Sequence, residues 1–254
     1  MKFAGVVITA FRQCCIRYLH PSGTLVDWAA SIPYIELMGR RSPLRRPFQY
    51  REYHVTFILI AANVLVFLLN SAVPQTRPEM SLVSPAVTAE GYNLGTHFWQ
   101  LLTYMFVHAN ISHIFFNMLG LFFFGVQLER RIGSSEFLLF YLVAGVGAGL
   151  VSLLIFALTG TATILLGASG AVFAVLLGFA TYFPTAMIYV FGIIPIRAPI
   201  LVLVYTAIEL FSELLGQNSG VAHLTHLAGF AVAYLYLVVR LGVNPIREFT
   251  ASRR

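Results

Sequence analysis

Six apolar stretches follow one another along this chain, and none contains more than two charged residues. They run over Val55–Val73, Ile111–Leu128, Phe137–Leu158, Ser169–Phe183, Ala198–Leu215 and Ala222–Val239, the fourth with an apolar lead-in from Ile164. A helix needs about 20 mostly apolar residues to cross the hydrocarbon core of a bilayer. Stretches of this length cannot all be folded inside one water-soluble domain. Hydrophobic residues make up 58% of the 254 positions and charged residues only 10%, whereas a soluble domain has about 25% charged residues. This excludes a soluble globular enzyme and a disordered chain alike. The expected fold class is all-α and polytopic: a bundle of six transmembrane helices with a long outer loop between the first two.

The formal charge of +6 does not point to nucleic acid, because the basic residues crowd the ends of the spans. Arg40, Arg41, Arg45, Arg46 and Arg51 precede the first span, Arg130 and Arg131 follow the second, and Arg240, Arg247, Arg253 and Arg254 follow the last. Such clusters mark the cytoplasmic leaflet. With both termini inside, Arg77 alone of the 16 lysines and arginines lies outside, near Glu79 and Glu90. The expected location is a cell membrane, most simply a prokaryotic inner membrane, with lipid as the surrounding partner.

Three parts are expected: a cytoplasmic segment 1–53, a membrane domain 54–241 and a short basic tail 242–254. Phe3–Phe11 is too short to span and lacks a cleavage site, so it makes a poor signal peptide. Met38 would start a shorter product, and residues 1–37 are expected to be dispensable. Cys14 and Cys15 are adjacent and cannot staple distant parts of a fold. The Pro74–Asn110 loop exceeds ordinary connection lengths, and its aromatic stretch Phe98–Phe106 has the pattern of a segment lying in the membrane interface.

Polar side chains at membrane depth are costly, and each is a functional candidate. His113 and Asn117 lie early in the second span, Ser169 opens the fourth, and His223 and His226 open the sixth. All three spans run in the same direction, so these five groups share one depth near the outer surface. Ser169 sits in the small-residue run Gly167-Ala-Ser-Gly-Ala, and Gly170, Ala174 and Gly178 continue as a smooth ridge. His226, Gly229 and Ala233 share a face of the sixth span. Two smooth faces can approach closely enough to bring hydroxyl and imidazole within hydrogen-bond reach. Histidine is the natural base for a serine nucleophile.

The usual third member is missing, because the only aspartate, Asp27, lies in the N-terminal segment. Glu209 and Glu213 stand near the outer end of the fifth span, but nothing in the sequence positions them. The residues therefore read as a Ser169–His226 dyad whose imidazole is oriented by packing, with Phe173 placed to offer it an aromatic face. His113 and Asn117, at i and i+4, together with the backbone N–H of Ser169, would donate to an oxyanion.

Taken together, these residues resemble the rhomboid intramembrane serine proteases over about His54 to Arg240. The resemblance rests on His108-Ala-Asn-Ile-Ser-His113-Ile-Phe-Phe-Asn117, on Gly167-Ala-Ser169-Gly170 and on His223-Leu-Thr-His226-Leu-Ala-Gly229. Glu129-Arg-Arg131-Ile-Gly133 looks like the family's Glu-x-Arg element. The resemblance implies that Ser169 is the nucleophile and His226 the general base. It also implies an oxyanion hole of His113, Asn117 and the Ser169 amide, with Gly167, Gly170, Phe173 and Gly229 shaping the site. It implies no cofactor and no metal, and substrates that are transmembrane segments of other proteins. Two positions depart from the pattern: Trp99-Gln100 stands where the family often has Trp-Arg, and Phe173 where Tyr is common.

Competing readings are weaker. His113, His223 and His226 could ligate a metal, but no HExxH occurs, and an aspartyl protease would need two aspartates within the membrane. A non-catalytic protein that binds transmembrane helices, or a transporter, would make Ser169 an ordinary packing residue. The Gly145–Gly149 cluster lies mid-span with no basic partner, so helix packing explains it better than a phosphate loop.

Overall fold

The computed structural model describes residues 47–87, 97–190, 192–214 and 220–252. The N-terminal segment with Cys14, Cys15, Asp27 and Met38, and also Glu90, Arg253 and Arg254, lie outside the described residues, as does the side chain of Glu213. The described chain is mainly helical. Helix α1 spans Val55–Ala72, α2 Thr76–Met80 and α3 Gln100–Thr103, which tightens into a 3-10 turn at Tyr104–Phe106. Helix α4 covers Ile111–Ile132 with a π-helical segment at Leu121–Gly125, and α5 covers Ser134–Thr159. Helices α6 (Ser169–Tyr182), α7 (Ala198–Leu214), α8 (Gly220–Tyr236) and α9 (Pro245–Ala251) follow.

Helices α1, α4 and α5, and the stretch His223–Leu241 that continues α8, are long and apolar enough to cross a membrane. Helices α6 and α7 are apolar but shorter, at 14 and 17 residues. At 1.5 Å per residue α6 extends about 21 Å, less than the roughly 30 Å of a hydrocarbon core. A helix that short cannot reach both surfaces, so a residue at its end can lie below one of them.

Helix α6 is the centre of the bundle. Every residue from Gly170 to Thr181 except Phe173 is buried. A helix that is apolar on all sides has no stripe to expose and belongs inside. Small residues let the neighbours approach it. A Cβ on Gly178 would stand 2.7 Å from Leu128 Cδ2 on α4 and 3.3 Å from Phe140 Cε1 on α5. The small-residue ridge of α6 thus serves different partners along its length, with α4 and α5 at Gly178 and α8 at Gly170. In α5, Gly145, Gly147 and Gly149 lie against Met105, Val232 and Tyr104 respectively, so this cluster is a set of packing sites.

Two buried carboxylates fasten the end of the bundle where α1 begins. The first four N–H groups of a helix lack partners within it. Glu129, at the end of α4, accepts from the N–H of Val55 (2.6 Å) and of Thr56 (2.8 Å), from Thr56 Oγ1 (2.6 Å) and from Ser134 Oγ. It caps α1 from another helix, which gives the glutamate of the Glu-Arg-Arg element a structural role. Glu136 receives Arg240 in a fork, Nε at 2.6 Å and Nη2 at 2.9 Å, together with Tyr236 Oη at 2.5 Å. Removing one partner of a buried ion pair strands the other and costs about 3–5 kcal/mol. Glu136→Ala should therefore lower stability by about that amount, measured by denaturation in detergent micelles. An unchanged midpoint would show that the fork does not hold α5 to α8.

Candidate active site

The loop before α6 is tied down from several sides. Strand β1 (Leu82–Val83) pairs antiparallel with β2 (Ile164–Leu165), and the Ser84 N–H donates to Thr163 O at 3.0 Å. The Gly167 N–H donates to Tyr104 O at 2.9 Å. Gly167 has φ +119°, a conformation that side chains rarely adopt. A Cβ there would stand 2.8 Å from His113 Nε2 and 3.8 Å from Ser169 Oγ. Two candidate groups thus lie within 4 Å of one point, in space that only glycine leaves open. Ser169 is the first residue of α6, so its N–H has no carbonyl within the helix to bond.

His113 is held by its own turn. Asn110 caps α4, its Oδ1 accepting from the His113 N–H at 2.8 Å. The Ala109 N–H donates to His113 Nδ1 at 3.4 Å. A ring nitrogen that accepts carries no proton, so the neutral ring is protonated on Nε2, the atom beside Gly167. Arg77 steadies the preceding turn by donating to the carbonyls of His108 (3.0 Å) and Ala109 (3.1 Å). Buried Asn117 donates from Nδ2 to His113 O at 2.9 Å, which occupies one of its two amide hydrogens. His108 is fully buried and donates from Nδ1 to Phe106 O at 3.2 Å, its ring 5.0 Å from that of His113. Burial, reinforced by His113, pushes the His108 imidazole down to about 4, so it stays neutral at ordinary pH.

Helices α6 and α8 touch at backbone level. A Cβ on Gly229 would overlap the carbonyl oxygen of Gly170, and one on Gly170 would meet Thr225 Cγ2 at 3.3 Å. At this contact His226 stacks on Phe173, with centroids 4.2 Å apart and planes 10° from parallel. Phe173 is itself fixed edge-on by Tyr205 and tilted against Phe230. Packing therefore does orient the imidazole, and Phe173 supplies the stacking face without a tyrosine hydroxyl.

The expectation that no carboxylate reaches this ring is corrected. Glu209 on α7, 6% exposed, brings Oε1 to 2.9 Å from His226 Nδ1 and Oε2 against His223 Nδ1. The physical reason is the fold of α7 against α8, which no spacing within either helix reveals. A usable signal did exist: a glutamate at membrane depth needs a partner, and the two histidines at i and i+3 opening the next span offered one. Gln100, where an arginine is common, is another missed residue. Nearly buried, it donates to the carbonyls of Pro78 and Glu79 at 3.3 Å and accepts from the Val83 N–H at 3.4 Å. Its amide anchors the Pro78–Val83 segment.

Ser169, His226, His113, Gly167 and Phe173 thus gather around the N-terminal turn of α6, with Asn117 one turn along α4 from His113. Among the described residues, the Ser169 hydroxyl makes no hydrogen bond to His226. Catalytic hydrogen bonds commonly tighten only when substrate is bound. Glu209, His223 and His226 have ligand atoms within 4.8 Å of one another and could hold a metal ion. Their contacts, however, are at hydrogen-bond spacing, whereas ligands around one tetrahedral zinc stand about 3.3 Å apart.

A bundle of apolar helices with a serine, histidines and a buried carboxylate near one end belongs to the class of polytopic membrane proteins. Comparison with known proteins narrows the class. Residues 95–242 match the rhomboid domain, more than half of the chain, and the protein belongs to the rhomboid family. It is 34% identical over 142 residues to RHOMBOID-like protein 4 of Arabidopsis thaliana, covering 56% of this chain and 34% of that protein. It is 34% identical over 99 residues to the putative rhomboid protease YdcA of Bacillus subtilis, covering 38% and 47%. It is 28% identical over 135 residues to the rhomboid protease GlpG of Enterobacter sp., covering 53% and 46%. The matched regions make up less than half the length of each of these relatives.

Gly229→Val would drive two extra methyl groups and a Cβ into the Gly170 carbonyl. Overpacking of this kind costs about 1–3 kcal/mol, and the midpoint of unfolding in detergent should fall accordingly. A midpoint equal to the wild type would mean that α6 and α8 do not depend on this contact.

Proposed function

We propose that the chain is an intramembrane serine endopeptidase that cuts transmembrane segments of other membrane proteins. The observation that carries this reading is the Gly170–Gly229 contact, which holds His226 on Phe173 one turn from Ser169, beside the His113 ring. Ser169 Oγ attacks the scissile carbonyl while His226 Nε2 takes its proton. The oxyanion that develops is met by the Ser169 N–H, His113 Nε2–H and the second amide hydrogen of Asn117. His226 then returns the proton to the leaving amine, and water hydrolyses the acyl-enzyme by the same route in reverse. A helical substrate hides its carbonyls in its own hydrogen bonds, so cleavage requires local unwinding near the N-terminal turn of α6.

The proposal includes six membrane-embedded helices, α1 and α4 to α8, and the division into segments 1–53, 54–241 and 242–254. Both termini lie in the cytoplasm of a cell-membrane protein, an orientation supported by the crowding of basic residues at one set of span ends. The short α6 then sinks Ser169 below the outer surface. No cofactor takes part in this chemistry, and the partners are lipid and transmembrane substrates.

The test uses purified protein in liposomes with a labelled transmembrane substrate. Ser169→Ala and His226→Ala should abolish cleavage, and a chelator should leave the wild-type rate unchanged. Wild-type turnover by Ser169→Ala would remove Ser169 as the nucleophile, whereas binding of the substrate without cleavage by the wild-type protein would identify a non-catalytic binder of transmembrane helices instead. His113→Ala and Asn117→Ala should each slow turnover by about 10²–10³-fold, the effect of losing one oxyanion donor, without loss of folding. An unchanged rate for Asn117→Ala would remove it from the oxyanion hole.

A further inference from the structure

Glu209 is a carboxylate at membrane depth, 6% exposed, with both oxygens engaged by one neighbouring helix. Oε1 lies 2.9 Å from His226 Nδ1, and Oε2 contacts His223 Nδ1. A carboxylate can only accept, so each ring donates its Nδ1–H. For His226 this assigns the tautomer, with the proton on Nδ1 and the lone pair on Nε2. We infer that Glu209 is a positioning residue for the general base, and that His223 in turn holds Glu209. This rests on the proposed Ser169–His226 chemistry and adds a carboxylate to it.

Three effects follow from the geometry. Phe173 fixes the imidazole from its face at 4.2 Å and Glu209 fixes it at its edge, so the ring can neither tilt nor flip. The nitrogen left basic is Nε2, on the side of the ring opposite Glu209. When the Ser169 proton moves to Nε2, the Nδ1–H stays in place and Glu209 remains a carboxylate. The imidazolium then forms against a fixed negative charge rather than alone in a medium of low dielectric. On collapse of the tetrahedral adduct the Nε2 proton passes to the leaving amine, and the Glu209–His226 contact returns to its starting state.

His223 completes the arrangement. A carboxylate bonded through one oxygen could rotate about its stem, and the second imidazole, one turn earlier on the same face of α8, prevents this. The pair of contacts also compensates the burial of the charge.

The experiment measures kcat and KM separately in liposomes for the full-length protein and three variants. Glu209→Gln keeps the shape but can present an N–H to His226 Nδ1, which reverses the tautomer. It should fold with a wild-type midpoint, keep KM and lose at least about 10²-fold in kcat; loss of the tautomer-setting carboxylate in a serine protease costs up to about 10⁴-fold. Glu209→Asp retains the charge and should recover at least a tenth of the wild-type kcat. Ser169→Ala should be inactive. A wild-type kcat in Glu209→Gln, with Ser169→Ala inactive, overturns the role of Glu209 and leaves the dyad standing. Activity in Ser169→Ala overturns both. If Glu209→Gln is unstable, the aspartate variant decides, and a folded Glu209→Asp with less than a tenth of the wild-type kcat overturns the proposal. A wild-type rate that changes with chelator would assign the three side chains to a metal and overturn it as well.

Discussion

The backbone contact between Gly170 and Gly229 is the constraint on which the site depends. Hydrophobic burial cannot by itself hold two helices together in lipid, where the alternative neighbour is equally apolar. What remains is close packing, and close packing at this point requires the absence of two Cβ atoms. Because α6 and α8 meet at backbone distance, His226 and Phe173 lie within stacking range of each other. Shift either helix outward by the width of a side chain, and the imidazole loses its stacked partner. Helix α6 can serve as the central element because it is buried on every face and too short to require a surface at both ends.

Charge inside the bundle follows one rule at both ends. Glu129, Glu136 and Glu209 are all buried, and each has a specified set of donors. Glu129 caps the first amides of α1, and Glu136 takes the fork of Arg240. These two fasten helices at one end. Glu209 is held instead by His226 and His223, at the other end. The chemistry of the partners makes the difference, since an arginine is always protonated while an imidazole can exchange its proton.

Much of the fold was legible because apolar length is a strong signal. The apolar run Val55–Val73 predicts the first span, which forms over Val55–Ala72, and Phe137–Leu158 predicts the third, which forms over Ser134–Thr159. The stacking of Phe173 on His226 followed from residue spacing, as did the closeness of Gly229 to Gly170. What the sequence did not disclose was how helices are arranged about one another. Glu209 lies 17 residues from His226, and only the fold of α7 against α8 brings the two together. The partners of the small-residue ridge stay hidden for the same reason: Gly178 meets Leu128 of α4 and Phe140 of α5. Gln100 reads from sequence only as a departure from Trp-Arg, because its three backbone partners lie in a loop whose path spacing alone cannot trace.

In the proposed chemistry the neighbouring imidazole makes the Ser169 hydroxyl nucleophilic within the membrane. The most direct measurement is the rate and position of covalent labelling by a fluorophosphonate, mapped by mass spectrometry on the purified protein in liposomes. The account predicts a single adduct on Ser169 that disappears when His226 is replaced by alanine. An adduct on another residue, or labelling of Ser169 at the same rate without His226, would contradict it.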